Sequence, residues 1–181
     1  MRLQGKKVAV LAAEEFEDLE LTETVKALES EGAHVTVIGL SHDAKHGLVG
    51  KHGTVVTTDA TIDEVIPEQF SGLLIPGGNS PARLRTDERV LSFVRAIAAA
   101  SKPIAAICHG PQVLISAGVV EGRIMTSYPA VGLELDEAGA TYVDQPVEVD
   151  GNIVTSRRPA DIPRFNEAML HLFESAREQA A

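Results

Sequence analysis

The sequence predicts a single α/β domain, residues 1–181, built on a mostly parallel sheet with helices on both faces. Three observations carry that prediction. Four short, almost wholly apolar runs read as strands buried on both sides. Segments with helical spacing lie between them. The fourth run ends in the only cysteine of the chain, and His-Gly-Pro and a further apolar stretch follow it directly.

The first run is VAVLAA (Val8–Ala13), the second HVTVIGL (His34–Leu40), the third GLLIPGG (Gly72–Gly78) and the fourth PIAAIC (Pro103–Cys108). Between the first two, Glu17 to Glu31 puts Leu21, Val25 and Leu28 on one stripe, with Gly32 suited to ending the helix. Thr86 to Ala100 puts Val90, Phe93, Val94 and Ile97 on one face, with Asp87 and Glu88 in the first turn. Pro111 to Ala117 opens with proline and closes at Gly118. Two segments alternate instead: KHGTVVTTD (Lys51–Asp59) and YVDQPVEVDGNIVTS (Tyr142–Ser156), the latter with a hairpin signal at Asp150-Gly151. Both are expected as small antiparallel additions to the sheet. Asp161 to Glu178 closes the chain as an amphipathic helix through Ile162, Phe165, Met169 and Phe173.

Composition narrows the function. At 44% hydrophobic and 23% charged residues the chain is globular, and 181 residues suffice for one packed core. Sixteen Lys and Arg against 26 Asp and Glu give a formal charge of −10, which opposes phosphate backbones and anionic lipid. No nucleic-acid or membrane partner is expected. Val8–Ala13 is too short for a signal core or a membrane span, and a lone cysteine suits a reducing compartment, so a cytoplasmic protein is expected. His42, His46 and His52 fit no compact metal site. Gly77-Gly78 and the Gly50–Gly53 loop give neither a P-loop nor a dinucleotide fingerprint, so neither metal nor cofactor is expected.

The chemistry centres on Cys108. A strand that ends in Cys-His-Gly-Pro and passes into a helix reads as a nucleophile elbow, with the side chain above the carboxyl edge of the sheet. Gly110 allows the tight turn, and the helix start at Pro111 is expected to favour the thiolate. The N–H of His109 is a natural oxyanion donor, with a second from Gly77 or Gly78. The His109 side chain need not face the sulfur. EEFEDLEL (Glu14–Leu21) lies at the same sheet edge, and spacing leaves Glu14, Glu15, Glu17 and Asp18 open as acids able to reach the cysteine. Each also fits as a helix N-terminal acid. Tyr128, after the strand-like RIMTS, is a candidate pocket wall.

EEFEDLEL, GKHG (Gly50–Gly53), LLIPGG, KPIAAICHGPQVLISAGV and TSRRPADIP, in that order, resemble the PfpI family of the ThiJ/PfpI (DJ-one) superfamily. The resemblance implies a flavodoxin-like three-layer α/β sandwich and assembly as homodimers or larger homo-oligomers. It implies Cys108 as the reactive cysteine, Glu17 as a protonated acid hydrogen-bonded to it, and Gly78 and His109 as backbone donors. Gly77, Asn79 and Tyr128 then border the pocket.

Activities ascribed to the family include intracellular peptidase, glutathione-independent glyoxalase, deglycase, and oxidative-stress protection or chaperoning. The peptidase reading needs a Cys-His-Glu triad with Cys108 and His109, but the family's glutamate position is occupied here by Ala82. The loop and the tail Thr155–Pro163 look more like the bacterial general stress protein branch, in which Arg157 or Asp161 either borders the site or caps and pairs at the surface. The expectation is a stress-protective protein whose cysteine acts on small reactive carbonyls, senses oxidation, or both. A peptidase acting on peptides and a non-catalytic sensor or chaperone are the alternatives.

Overall fold

Side-chain alternation decides how the layers form. The computed structural model describes residues 1–42 and 47–176, and its first strand, β1 (Lys7–Leu11), shows the principle. Ala9 and Leu11 enter one core and Val8 and Val10 the other, so a strand apolar on four successive residues is buried on both faces.

The chain continues through α1 (Asp18–Ser30), β2 (His34–Gly39), the two-residue strands β3 (Leu48–Val49), β4 (Val55–Val56) and β5 (Ala60–Thr61), and two single 3₁₀ turns. Next come β6 (Gly72–Ile75), α2 (Ser80–Leu84), α3 (Glu88–Ala99), β7 (Ile104–Ile107) and α4 (Pro111–Ala117). The last part holds β8 (Ile124–Met125), α5 (Gly132–Glu137), β9 (Thr141–Tyr142), β10 (Val147–Asp150), β11 (Ile153–Ser156) and α6 (Ile162–Ser175). His46 and the last turn expected up to Glu178 lie outside the described residues.

The main sheet has seven strands in the order β10-β11-β7-β6-β1-β2-β5, and every pairing but β10–β11 is parallel. Chain order runs outward from β1 to β2 and β5, then returns to its other side at β6. The reversal falls between β1 and β6, and the crevice beyond their carboxyl ends is where such sheets bind ligands. Leu73, Ile75, Ile104 and Ala106 share one core with α3 and α4, whereas Leu74, Ala105 and Ile107 share the other with α1 and α6. The chain has the flavodoxin-like three-layer architecture.

Two expectations change. The Lys51–Asp59 region does not extend the main sheet: β3 and β4 pair antiparallel as a separate two-stranded ribbon, and β5 joins β2 in parallel. Within Tyr142–Ser156 only β10 is antiparallel, because β11 runs parallel to β7. Alternation reveals a half-buried strand but not which neighbour it pairs with.

The stripe on α6 is as expected, with Phe165 and Phe173 fully enclosed. Gly72 gives Phe173 its room, since a Cβ there would lie 3.0 Å from the ring. Phe173→Ala should therefore lower the unfolding free energy by about 3–5 kcal/mol, read as a shifted urea midpoint with an unchanged m-value.

Candidate active site

β1, β6 and β7 end at one edge, and the loops that follow β1 and β6 hold each other there. Phe16 bridges Gly78 across the first two loops. Glu17 N donates to Gly77 O at 3.1 Å and Asn79 N to Glu15 O at 2.9 Å. The β3–β4 ribbon is laced to the same place: Glu15 N donates to Val49 O and Lys51 N to Phe16 O, both at 2.9 Å. Buried Asp18 accepts from His52 N at 3.0 Å and Thr54 N at 2.9 Å. Burial works to raise its pKa, but these hydrogen bonds outweigh it and hold Asp18 below the ordinary carboxyl value. A side chain at Gly50 would strike the Asp18 carboxylate, so the GKHG turn needs its first glycine.

Cys108 follows β7 with φ +63, a left-handed conformation uncommon outside glycine. Neighbouring backbone holds it there. Its N–H donates to Ser156 O at 3.0 Å, and its carbonyl accepts from Tyr128 N at 2.9 Å. Gly110 N donates to Ile107 O at 2.8 Å, and a Cβ at Gly110 would meet Ile75 O at 2.5 Å. The strand-to-helix elbow is thus present, and α4 starts at Pro111 directly after it.

The acid at the sulfur is Glu20. Its side chain is wholly enclosed, its Oε1 accepts from Gly77 N at 3.0 Å, and its Oε2 has no hydrogen-bond partner among the described residues. A Cβ on Gly77 would sit 2.5 Å from Glu20 Oε1 and 2.8 Å from Cys108 Cβ, so these groups meet over a glycine. Burial pushes the Glu20 carboxyl up to about 8, against the Gly77 hydrogen bond and with help from the nearby Glu17 charge. Glu20 is therefore mostly neutral at neutral pH.

Glu17, expected at the sulfur, precedes the first turn of α1 and reaches outward. Its carboxylate lies 3.2 Å from His52 Nε2 and 3.9 Å from Lys51 Nζ, while its charge still acts weakly on Cys108. One turn of helix separates the two acids, and the buried side of that turn belongs to Glu20. Glu20 was absent from the acids weighed on sequence, although a signal existed. It lies in register with Thr24 and Leu28 on the buried stripe, where an ordinary surface glutamate has no place.

The thiolate expected from the helix start is not favoured. Burial, then the Glu20 charge, pushes the Cys108 thiol up to about 12, and the N–H groups of Gly78 and His109 act against that rise. The two expected donors do converge on the sulfur. Gly78 has φ +78, and a side chain there would collide with Glu17 N, so only glycine can present this N–H.

The His109 ring does face the sulfur, with Sγ 3.3 Å from Nδ1, and it stacks on Tyr128 with centroids 4.8 Å apart. Burial, followed by the Lys51 charge, lowers its pKa, which keeps the imidazole neutral. Ala82 is exposed on α2, and no carboxylate hydrogen-bonds the His109 ring among the described residues. Asn79 is exposed at the start of α2. Arg157 pairs with Asp161 at 2.9 Å and Asp144 at 3.0 Å. The described residues offer no group of three metal-ligating side chains, and none of their helices is long and apolar enough to cross a membrane.

The arrangement can hold a proton beside a thiol and stabilise an oxyanion with two N–H groups. It also has a thermodynamic signature. Folded Glu20 keeps its proton up to about 8, whereas an ordinary carboxyl releases it near 4.5, so the unfolded chain ionises first as pH rises. This stabilisation is complete below 4.5 and is lost at about 1.4 kcal/mol per pH unit on the way to about 8. Urea unfolding across that window should show the fall, and Glu20→Gln should flatten it. Equal slopes in both chains would refute the buried neutral acid.

Comparison with known proteins agrees with this fold. Residues 6–172 match the DJ-1/PfpI family. General stress protein 18 of Bacillus subtilis is 46% identical over 94% of this chain and 99% of its own. A deglycase of Pyrococcus horikoshii is 46% identical over 86% of this chain and 92% of its own. A solved two-domain protein of Anabaena variabilis, with DJ-1/ThiJ/PfpI-like and ferritin-like domains, superposes with a TM-score of 0.89 at 34% identity, over 96% of this chain and 52% of that one. An elbow cysteine on a parallel sheet and a match along nearly its whole length make this chain a member of the DJ-1/PfpI family.

Proposed function

We propose that this chain is a stress-related protein whose Cys108 adds to small reactive carbonyls of the methylglyoxal type and converts them to hydroxy acids without glutathione. The observation that carries the reading is the buried, mostly neutral Glu20 beside a thiol that two backbone N–H groups serve. The names of the stress-protein and deglycase relatives support it. A lone cysteine fits a reducing, cytoplasmic setting, and the family resemblance a homo-oligomer.

In the attack, the ionised minority of Glu20 takes the thiol proton as sulfur bonds to the aldehyde carbon. The oxyanion rests on the Gly78 and His109 N–H groups, then takes that proton from Glu20 to give a hemithioacetal. Glu20 next moves the proton on the former aldehyde carbon to its neighbour through an enediol. The sulfur-bearing carbon becomes a thioester carbonyl, and the adjacent ketone becomes a hydroxyl. Water cleaves the thioester, which releases lactate and returns the proton to sulfur.

Peptide hydrolysis has weaker support. The neutral imidazole 3.3 Å from sulfur is a base, yet nothing at Ala82 can orient it. Oxidation sensing asks for an exposed, acidic thiol, whereas this one is enclosed and held protonated.

Lactate formation from methylglyoxal without glutathione should vanish in Cys108→Ala and fall about a hundredfold or more in Glu20→Gln. Glu17→Gln should cost less, and kcat/KM should rise with pH through about 8. No lactate above the Cys108→Ala background would refute the reading.

A further inference from the structure

Three elements supply the parts of this site, and one half-buried network joins them away from the sulfur. α2 begins one residue beyond the Gly78 donor, α4 directly after the elbow, and α5 follows the turn that carries Tyr128. Glu134 on α5 forms an ion pair with Arg85, the residue that ends α2, through Arg85 Nη2. Its other oxygen accepts from Gln112 Nε2 on α4 at 3.1 Å. Arg85 Nε donates in turn to Ser116 Oγ, also on α4, at 2.8 Å.

We infer that Glu134 is a positioning residue of the site, which locks the Tyr128 turn to the elbow helix and the donor loop so that Tyr128 stays stacked on His109. The path is short. Val131 N donates to Tyr128 O at 2.8 Å, and Glu134 lies in the first turn of the helix that follows. Tyr128 N is itself bonded to Cys108 O, so a shift of this turn reaches the elbow within one residue. The Arg85 hydrogen bond, against partial burial, holds the Glu134 carboxyl below its ordinary pKa, which keeps the clamp charged wherever the protein is folded near neutrality. Tyr128 is 41% exposed and cannot hold its stack by burial alone, so a tether on its turn has a task to perform. The proposal rests on reading Cys108 and His109 as the site, but not on which carbonyl is the substrate.

The test follows His109 by NMR titration in the full chain, with its signals assigned by His109→Gln. Release of Tyr128 exposes the imidazole, so Glu134→Ala and Arg85→Met should raise the His109 midpoint toward the ordinary 6.5. They should also raise KM for methylglyoxal about tenfold, with a smaller change in kcat. Glu88→Ala, which removes an exposed pair with Arg95 on α3, should change neither. If Glu134→Ala fails to fold, Glu134→Gln, which keeps the shape and loses the charge, carries the comparison. A lowered melting temperature with a His109 titration that superposes on the parent's would overturn the proposal. If the parent makes no lactate while the His109 midpoint still moves, the carbonyl reading falls and the positioning role stands.

Discussion

Glu20 and Cys108 lie 88 positions apart in a chain whose fold brings them together with only a glycine between. A carboxyl enclosed in that way cannot stay ionised cheaply, so it keeps its proton and becomes a donor beside sulfur. Much of the surrounding structure follows from making the enclosure possible. Gly77 has no side chain because both partners occupy that space, and Gly78 has none because the Glu15–Glu17 backbone does. The Gly77 N–H donates to the Glu20 carboxyl, which fixes it without neutralising it from outside. Charge is kept one helical turn away, where Glu17 meets His52 and Lys51 at the opening.

The loops that enclose the pair hold one another rather than relying on the core. The Glu14–Asp18 segment bonds both the Gly77–Asn79 loop and the β3–β4 ribbon, and Asp18 is the pin for the second contact. Irregular backbone buried at a sheet edge must find partners for its polar groups, and here each loop supplies them for the next. Rigidity of this kind keeps N–H donors aimed at a reacting centre before any substrate arrives, which is where electrostatic preorganisation gains its effect.

The layers and the elbow were legible in the sequence because they rest on strong periodicity. Runs such as VAVLAA admit few structures, and Cys-His-Gly-Pro after such a run places the cysteine at a sheet edge. The acid was harder. Glu17 caps α1 and Glu20 stands in its first turn, and an acid at either place is well explained by the helix dipole alone. Three residues apart, both project toward the buried stripe, and what separates them is the extended backbone of Glu17 at the cap, which no local pattern records. The raised thiol pKa was likewise hidden, since a helix start argues for a thiolate while the opposing burial exists only in three dimensions. α2 and α5, at five and six residues, are too short to show a periodicity. The partner of each two-residue strand depends on contacts that no local pattern records.

The left-handed backbone at Cys108 has a consequence for how this position can change. The direction of the side chain is set by φ and ψ, and β11 bonds its N–H while the Tyr128 turn bonds its carbonyl, so the conformation is held from both sides. Serine, alanine or asparagine can occupy it at modest strain. Threonine and valine, with two heavy atoms on Cβ, meet the neighbouring backbone in this region. An evolutionary exchange of thiol for hydroxyl is therefore open through serine and closed through threonine, and the backbone, more than the chemistry, draws that line.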